Sequence, residues 1–376
     1  MFFDWLTIEQ DFMVQLPLIG ETGYQRLHID QSTGEQTASS MISQPKFQHR
    51  GSFCDSVSIH IRGSVLRMSG NPSRWGRLDN LFGYDTVDKC VSVYNQILTE
   101  LGLPNFTKVT KIWPSQLDDK TIRWVCNGAT IKELHITTNL AVGEGNEDSY
   151  ISALSTLPYR NSKPRLHTDG KSVDWLSKQG NANLIYPTVY NKSYELSLHA
   201  MPKILRTFGE SSPEYAYLKQ VFDYCQQSGI VRFEQKLKSR YLQKHDLHFW
   251  GYSDLSKLKD LQIQFTELDK KLTVTAMDFE TISSKLISEG VVDTVRAANT
   301  TTLYALEWMH GKSFDFKKRQ VQQHRARLRQ IGIDIAQPCN ISKFSPVFVR
   351  NAREIVVADA VIPSWYQRPV THLRAA

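Results

Sequence analysis

The chain has 376 residues, a net charge of +7 and a pI near 9.0, with 41% hydrophobic and 22% charged residues. That length holds two domains and a sizeable core, the composition is that of an ordinary soluble globular protein, and the basic excess suits a polyanionic partner. Five scattered cysteines (Cys54, Cys90, Cys126, Cys225, Cys339) without a close pair argue against a zinc or disulfide framework. No stretch nears the ~20 apolar residues that span a bilayer, and the acidic N-terminus lacks the basic region of a signal peptide.

Phe2 to Glu9 alternates as a first strand, with Phe3, Trp5 and Thr7 expected on one face and Asp4 and Leu6 on the other. The polar stretch Gly20 to Arg50 reads as loop-rich. Ser56 to Ile61 and Ser64 to Ser69 alternate again, and Arg62-Gly63 between them signals a hairpin. GNPSRWGRLDNLFGYD, Gly70 to Asp85, has three glycines and a proline and reads as a structured loop. In it Arg74 and Arg77 flank Trp75 and Gly76, which suits stacking on a base while gripping its phosphates; a surface loop pinned by a half-buried Trp fits equally well. Thr86 to Leu103 is an amphipathic helix with Val87, Val91, Tyr94, Ile97, Leu98 and Leu101 as its apolar stripe, Thr86 as N-cap and Gly102 closing it.

Lys108 to Trp113 and Thr121 to Cys126 read as short strands, and Asn127-Gly128 turns into a longer one, Ala129 to Leu140. There Glu133, His135 and Thr137 share a face. A carboxylate and an imidazole two residues apart can hold Mg²⁺ or Mn²⁺ against a phosphate, or simply form a solvated sheet face. Glu147 begins a helix that runs to Leu157, and Tyr159 to Gly180 is a polar, hairpin-like excursion. It leads into NLIYPTVYNKSYELSLH, Asn183 to His199. If this segment is extended, Tyr190 and Lys192 project from one face, where a tyrosinate could attack a phosphodiester beside a steadying cation.

Ser212 to Ser228 is a helix with Ser212 as N-cap, Pro213 in its first turn and Gly229 as C-cap. In the strand-like Ile230 to Leu242, Val231, Phe233, Gln235 and Leu237 alternate with Arg232, Glu234, Lys236 and Lys238. Glu234 among Arg232, Lys236, Lys238 and Arg240 fits a metal ligand in a DNA-phosphate cleft, or an incidental Glu on a basic strand. Beyond about residue 245 the period becomes helical, over Asp254 to Lys271, Asp278 to Glu289 and Val291 to Trp308. Ser313 to Gly332 is a basic helix with Val321, His324, Leu328 and Ile331 on one side and Lys317, Lys318, Arg319, Arg325, Arg327 and Arg329 supplying charge. It reads as the second half of a helix-turn-helix or as an amphipathic surface helix. The tail VIPSWYQRPV is expected to dock back on the body.

Taken in order, GNPSRWGRLDNLFG, TIKELHITTNL, VYNKSYEL, SGIVRFEQKLKSRYL and PSWYQRPV resemble the gene II/X family of phage and plasmid replication proteins, which initiate rolling-circle replication in filamentous phages. The resemblance is closer to members from vibrio phages than from coliphages. It implies a site-specific DNA nickase and ligase with Tyr190 as nucleophile, Lys192 beside it, and Glu234 as the family's glutamate. One departure stands out: coliphage members have Arg-apolar-Asp where this chain has Glu133-Leu134-His135, nearer the His-hydrophobe-His metal motif of the wider rolling-circle endonucleases. His135 then takes the ligand position more securely than Glu133.

The fold implied is α/β, with a mainly antiparallel central sheet flanked by helices, divided into a catalytic domain over 1–245 and a mostly helical accessory domain over 246–376. The implied chemistry is nicking of origin DNA, as supercoiled duplex and single strand, through a 5′-phosphotyrosine with a divalent metal in the host cytoplasm. Host helicase and polymerase would follow, no membrane is involved, and a homo-oligomer on the DNA is compatible. Tyr186 is the alternative nucleophile. A regulator that binds the origin without cutting it is the competing reading; conjugative relaxation, transposition and metal-dependent hydrolysis rank lower.

Overall fold

The structure is a computed structural model describing residues 1–53, 55–118, 121–177, 179–180, 183–271, 279–309, 311–337 and 355–369. Cys54, Cys339, the Asp278 start of a predicted helix and Val370 of the tail lie outside these residues. The strands are β1 (Phe2–Asp11), β2 (Tyr24–Ile29), β3 (Gln36–Ser43), β4 (Phe47–Arg50), β5 (Ser56–Arg62), β6 (Val65–Gly70), β7 (Ile112–Asp118), β8 (Thr121–Cys126), β9 (Thr130–Ala141), β10 (Lys163–Leu166), β11 (Ser172–Leu176), β12 (Ile185–Asn191), β13 (Ile230–Lys238) and β14 (Ala358–Asp359). The helices are α1 (Val87–Glu100), α2 (Glu147–Leu154), α3 (Lys192–Glu195), α4 (Met201–Phe208), α5 (Pro213–Ser228), α6 (Ser239–Lys244), α7 (Lys257–Thr266), α8 (Phe279–Ser288), α9 (Val295–Met309) and α10 (Arg319–Gln330).

One antiparallel sheet runs β10-β11-β12-β13-β9-β1-β6-β5-β3-β2, with β4 beside β5 and β14 beside β9, while β7 and β8 form a separate ribbon. The expected α/β class holds. Period-two alternation sends one face of the sheet inward. Leu6, Ile8, Ile59, Ile61, Leu66, Met68, Leu134 and Ile136 meet the stripe of α1, and Val173, Val189, Val231 and Phe233 meet α2 and Phe265 of α7. Each such side chain contributes roughly 1.5–3 kcal/mol. The other face carries the polar side chains. It is covered at one end by α3 to α5 and the loop after β6, and is open at the other.

The caps of two helices follow from composition. Thr86 Oγ1 accepts from Lys89 N, Ser212 Oγ accepts from Tyr215 N, and Gly229 closes α5 at φ 61°, where a side chain would be strained.

Several expectations change. The Gly20 to Arg50 region is largely strand: β2 and β3 form an exposed hairpin, and β4 joins β5. In β1 the register slips between Phe3 and Trp5, so Phe3 opposes Ile136 on the core side while Trp5 opposes His135 on the polar side. This bulge puts Asp4 with Trp5 in the cleft, not with Leu6. The first ribbon strand starts at Ile112 rather than Lys108. Leu247, Trp250, Leu258 and Leu261 pack with strands β1, β5, β6 and β9. A separate cluster gathers Ile282 to Ile335.

The basic helix begins at Arg319, so Lys317 and Lys318 precede it. Residues 311–318 precede it without helix, a span longer than a helix-turn-helix turn. Val321, His324 and Leu328 are buried, as in an amphipathic helix.

Candidate active site

Three adjacent strands build the site. On β9, Glu133, His135, Thr137 and Asn139 point to the polar face; β13 answers with Lys238, Lys236, Glu234 and Arg232 in register. β12 then sets Tyr186, Thr188 and Tyr190 opposite Lys236, Glu234 and Arg232. Residues a hundred positions apart therefore meet in a cleft of about 630 Å³ whose walls include Asp4, Trp5, Glu133, His135, Glu234 and Lys236.

His135 is the hub. Its Nε2 lies 2.9 Å from Glu133 Oε1 and its Nδ1 2.8 Å from Glu234 Oε1, and its ring stacks on Trp5 at 5.8 Å. Burial opposes a charge on His135, but the two carboxylates outweigh it and raise its pKa above the usual value. In return, against burial, His135 and Lys238 hold Glu133 at about 2, and His135 keeps Glu234 well below the carboxylate range.

Tyr190 is half-buried, with its hydroxyl 3.4 Å from Glu234 Oε2. Burial raises its pKa well above that of a free phenol; Arg232 opposes the rise, and Glu234, Glu195 and Asp4 add to it. Lys192 is not on the strand. Asn191 Oδ1 accepts from Tyr194 N and starts α3, so the extended pairing of Tyr190 with Lys192 fails. Lys192 is buried, its ammonium bonded to Asn80 Oδ1 at 3.0 Å and Glu195 Oε2 at 2.5 Å. Glu195 thus holds Lys192. Arg232 is the cation that favours the tyrosinate.

Three arginines expected on DNA are bonded within the protein. Arg232 is wholly buried and donates to Asn139 Oδ1 (2.9 Å) and to the carbonyls of Asn80 and Leu81 (both 2.8 Å), with Asp4 at 3.4 Å. Arg77 donates to the carbonyls of Ser73, Phe82 and Gln367 and to the Tyr366 hydroxyl. Trp75 stacks on His49 at 5.3 Å and packs on the core, which is the pinned-loop reading. Arg74 has a buried Nε with no hydrogen-bond partner. Lys236 and Lys238 line the cleft, and an exposed Arg240 lines its extension with Arg67 and Lys132. Arg325 is held bidentately by Asp334 (2.7 and 3.0 Å), while Lys317, Lys318 and Arg329 stay exposed.

Tyr186 turns away from Glu234. Its hydroxyl donates to Asp174 Oδ2 at 2.6 Å, and burial with that carboxylate pushes its pKa up to about 12. Asp174 is wholly buried and also accepts from Arg165 (3.0 and 2.6 Å), with His167 Nε2 at 3.0 Å. Burial would raise Asp174, but these donors win and lower it. Asp174→Asn is therefore expected to cost about 2–3 kcal/mol at neutral pH. A depressed native pKa gives stability that is complete above the ordinary value of 3.8 and lost as pH falls through the native one, so the gap in urea denaturation narrows in acid.

Among the described residues no group of three or more His, Cys, Asp and Glu side chains is arranged to hold a metal ion, and both ring nitrogens of His135 face carboxylates. The donor chemistry nonetheless fits a divalent cation. Thr137 Oγ1 and Thr188 Oγ1, in register on either side of Glu234, are buried without a partner, as polar atoms beside a hydrated ion would be. Sequence reasoning does not single out Asp4, Trp5, Asn80 or Asn139. Of these only Asn139 carries a signal, the alternation that continues Glu133, His135 and Thr137.

Fold and site together define an α/β protein with an imidazole and carboxylates in a cation-rimmed cleft on an antiparallel sheet, and a phenol bonded to one of those carboxylates. The N-terminal family of the replication-associated gene II protein matches residues 2–254, and the C-terminal family of the same protein matches residues 286–372. A replication-associated gene II protein of Escherichia phage If1 is 64% identical over 321 residues, which cover 85% of this chain and 99% of that protein. The chain belongs to the replication-associated gene II protein family. The vibrio-phage leaning of the resemblance gains no support from a relative in an Escherichia phage. No solved structure matches.

Proposed function

We propose that this protein is the initiator of rolling-circle replication for a phage or plasmid, a nickase and strand transferase that cuts one strand at the origin through a covalent tyrosine link. The observation that carries this reading is the Tyr190 hydroxyl bonded to Glu234, which lines a cleft with His135 and Glu133. The family relationship supports the replication role.

Tyr190 Oη attacks the scissile phosphorus, forming a 5′-phosphotyrosine while the bond to O3′ breaks. The phenol proton leaves along its hydrogen bond to Glu234 Oε2. Glu234 is a weak base in this setting, so the proton moves late, as the new bond forms. Arg232, buried on the polar face beside Tyr190, and Lys192, held at the end of the strand by Asn80 and Glu195, stabilise the negative charge on the phenol oxygen and phosphate. Glu133, His135 and Glu234 would hold Mg²⁺ or Mn²⁺, which supplies Lewis-acid polarisation of the phosphate when bound. The freed 3′-OH serves a host polymerase, and its later attack on the phosphotyrosine recloses the strand without ATP.

Partly exposed Lys236 and Lys238 at the cleft and exposed Arg240, Lys317, Lys318 and Arg329 supply contacts to DNA phosphates. Among the described residues no helix is long and apolar enough to cross a membrane. The proposed place of action is the host cytoplasm, with helicase and polymerase following the nick.

Incubation with an origin-bearing supercoiled plasmid and Mg²⁺ tests the reading. Relaxed circles and a protein–DNA adduct that survives denaturant are expected; specific binding with neither would mark a regulator instead. Glu234→Gln is expected to slow nicking at least about 10²-fold and to weaken Mn²⁺ binding in calorimetry.

A further inference from the structure

Tyr366 comes from the C-terminal tail, yet its hydroxyl lies at the centre of the loop that floors the site. The residue is 5% exposed. Its Oη donates to Asp79 Oδ1 (2.6 Å) and accepts from Phe82 N (2.9 Å) and Arg77 Nη2 (2.7 Å). One hydrogen and two lone pairs are the whole capacity of a phenol, and all are used on this one loop. Asp79, itself buried, also accepts from Leu81 N and the Tyr217 hydroxyl. The Phe82 ring meets Tyr366 edge-on at 5.2 Å.

The same loop faces the site with its other groups. Asn80 Nδ2 donates to Asp4 Oδ1 (2.8 Å), Asn80 Oδ1 accepts from Lys192, and the carbonyls of Asn80 and Leu81 accept from Arg232. Asn139 Nδ2 also donates to the Leu81 carbonyl at 2.6 Å. Residues 79–82 are thus bonded on one side to the tail and on the other to both buried cations of the site.

We propose that Tyr366 is a positioning residue for strand cleavage: the C-terminal tail holds residues 79–82, and through them sets Arg232, Lys192 and Asp4 under Tyr190. This rests on the nickase reading. Without the hydroxyl, Asp79, Phe82 N and Arg77 lose a shared partner and the loop relaxes. A shift near 1 Å at the cations costs about 10²-fold in rate.

Tyr366→Phe in the full chain tests this, because it keeps the ring and removes only the oxygen. Nicking at saturating plasmid is expected to slow about 10²-fold, with half-saturation unchanged within about twofold. Amide hydrogen exchange should quicken together over 77–84 and 190–196, and not over 56–62. Tyr224→Phe, which removes the tail's bond at the Val361 carbonyl away from the loop, should nick at the normal rate.

Unchanged nicking by Tyr366→Phe overturns the proposal, as does quickened exchange at 77–84 that leaves 190–196 untouched. Faster exchange across the whole sheet also overturns it, since that marks general destabilisation. If the unsubstituted protein does not nick, the nickase reading fails by itself. The exchange of the two segments then still decides whether the tail holds the floor of the site.

Discussion

Tyr190→Phe is expected to abolish nicking of an origin-bearing plasmid, by at least about 10⁴-fold, while origin binding stays within a few-fold of normal. The loss is large because no other described phenol has the same position. Tyr186, four residues earlier on the same strand face, has its hydroxyl bonded to Asp174, on the side of β12 away from Glu234. Tyr194 lies on α3, past the end of the strand. Tyr186→Phe is accordingly expected to keep nicking within about tenfold. A Tyr190→Phe protein that still forms the covalent adduct would transfer the role to another side chain.

Arg232→Met is expected to produce the largest loss of stability, about 3–5 kcal/mol out of the ~5–15 kcal/mol of a typical domain. The side chain is wholly buried, and its removal takes a donor from Asn139 Oδ1, from the Asn80 and Leu81 carbonyls and from Asp4. Urea denaturation should show a lower midpoint with an unchanged slope. Lys236→Gln, on the same strand face but partly exposed, should shift stability by no more than about 0.5 kcal/mol, and should lower the salt dependence of DNA binding by about one charge. Two cations that look alike in the alternation of β13 thus differ in burial and in the effect expected of their loss. If both variants lose binding and neither loses stability, Arg232 meets the DNA after all.

That contrast shows where the sequence stops being informative. The alternation of β9 and β13 reveals which side chains share a face, and their composition points to phosphate chemistry. The pairing of strands a hundred residues apart, which brings Glu234 onto His135, has no local signal. Nor does the burial of Arg232, because the cover comes from the loop after β6.

Lys192 departs from expectation for a different reason. The strand period up to Tyr190 masks Asn191, an N-cap residue followed by helix formers. The Asp4 bulge, which carries Trp5 to His135, depends on strand register alone. The β2–β3 hairpin buries no apolar face, its Leu27 and Ile29 being exposed, and Gly34, at φ 76°, lies in its turn. Helices with caps and apolar stripes, α1 and α5, are legible almost to the residue.

The most direct test of the central claim is peptide mapping of the covalent adduct. The protein is reacted with a single-stranded oligonucleotide carrying the origin, digested with protease and nuclease, and read by tandem mass spectrometry. A nucleotide mass on Tyr190, linked through a 5′-phosphate, is the expected result. A nucleotide on Tyr186 or any other side chain, or no adduct while the strand is cut, would contradict it.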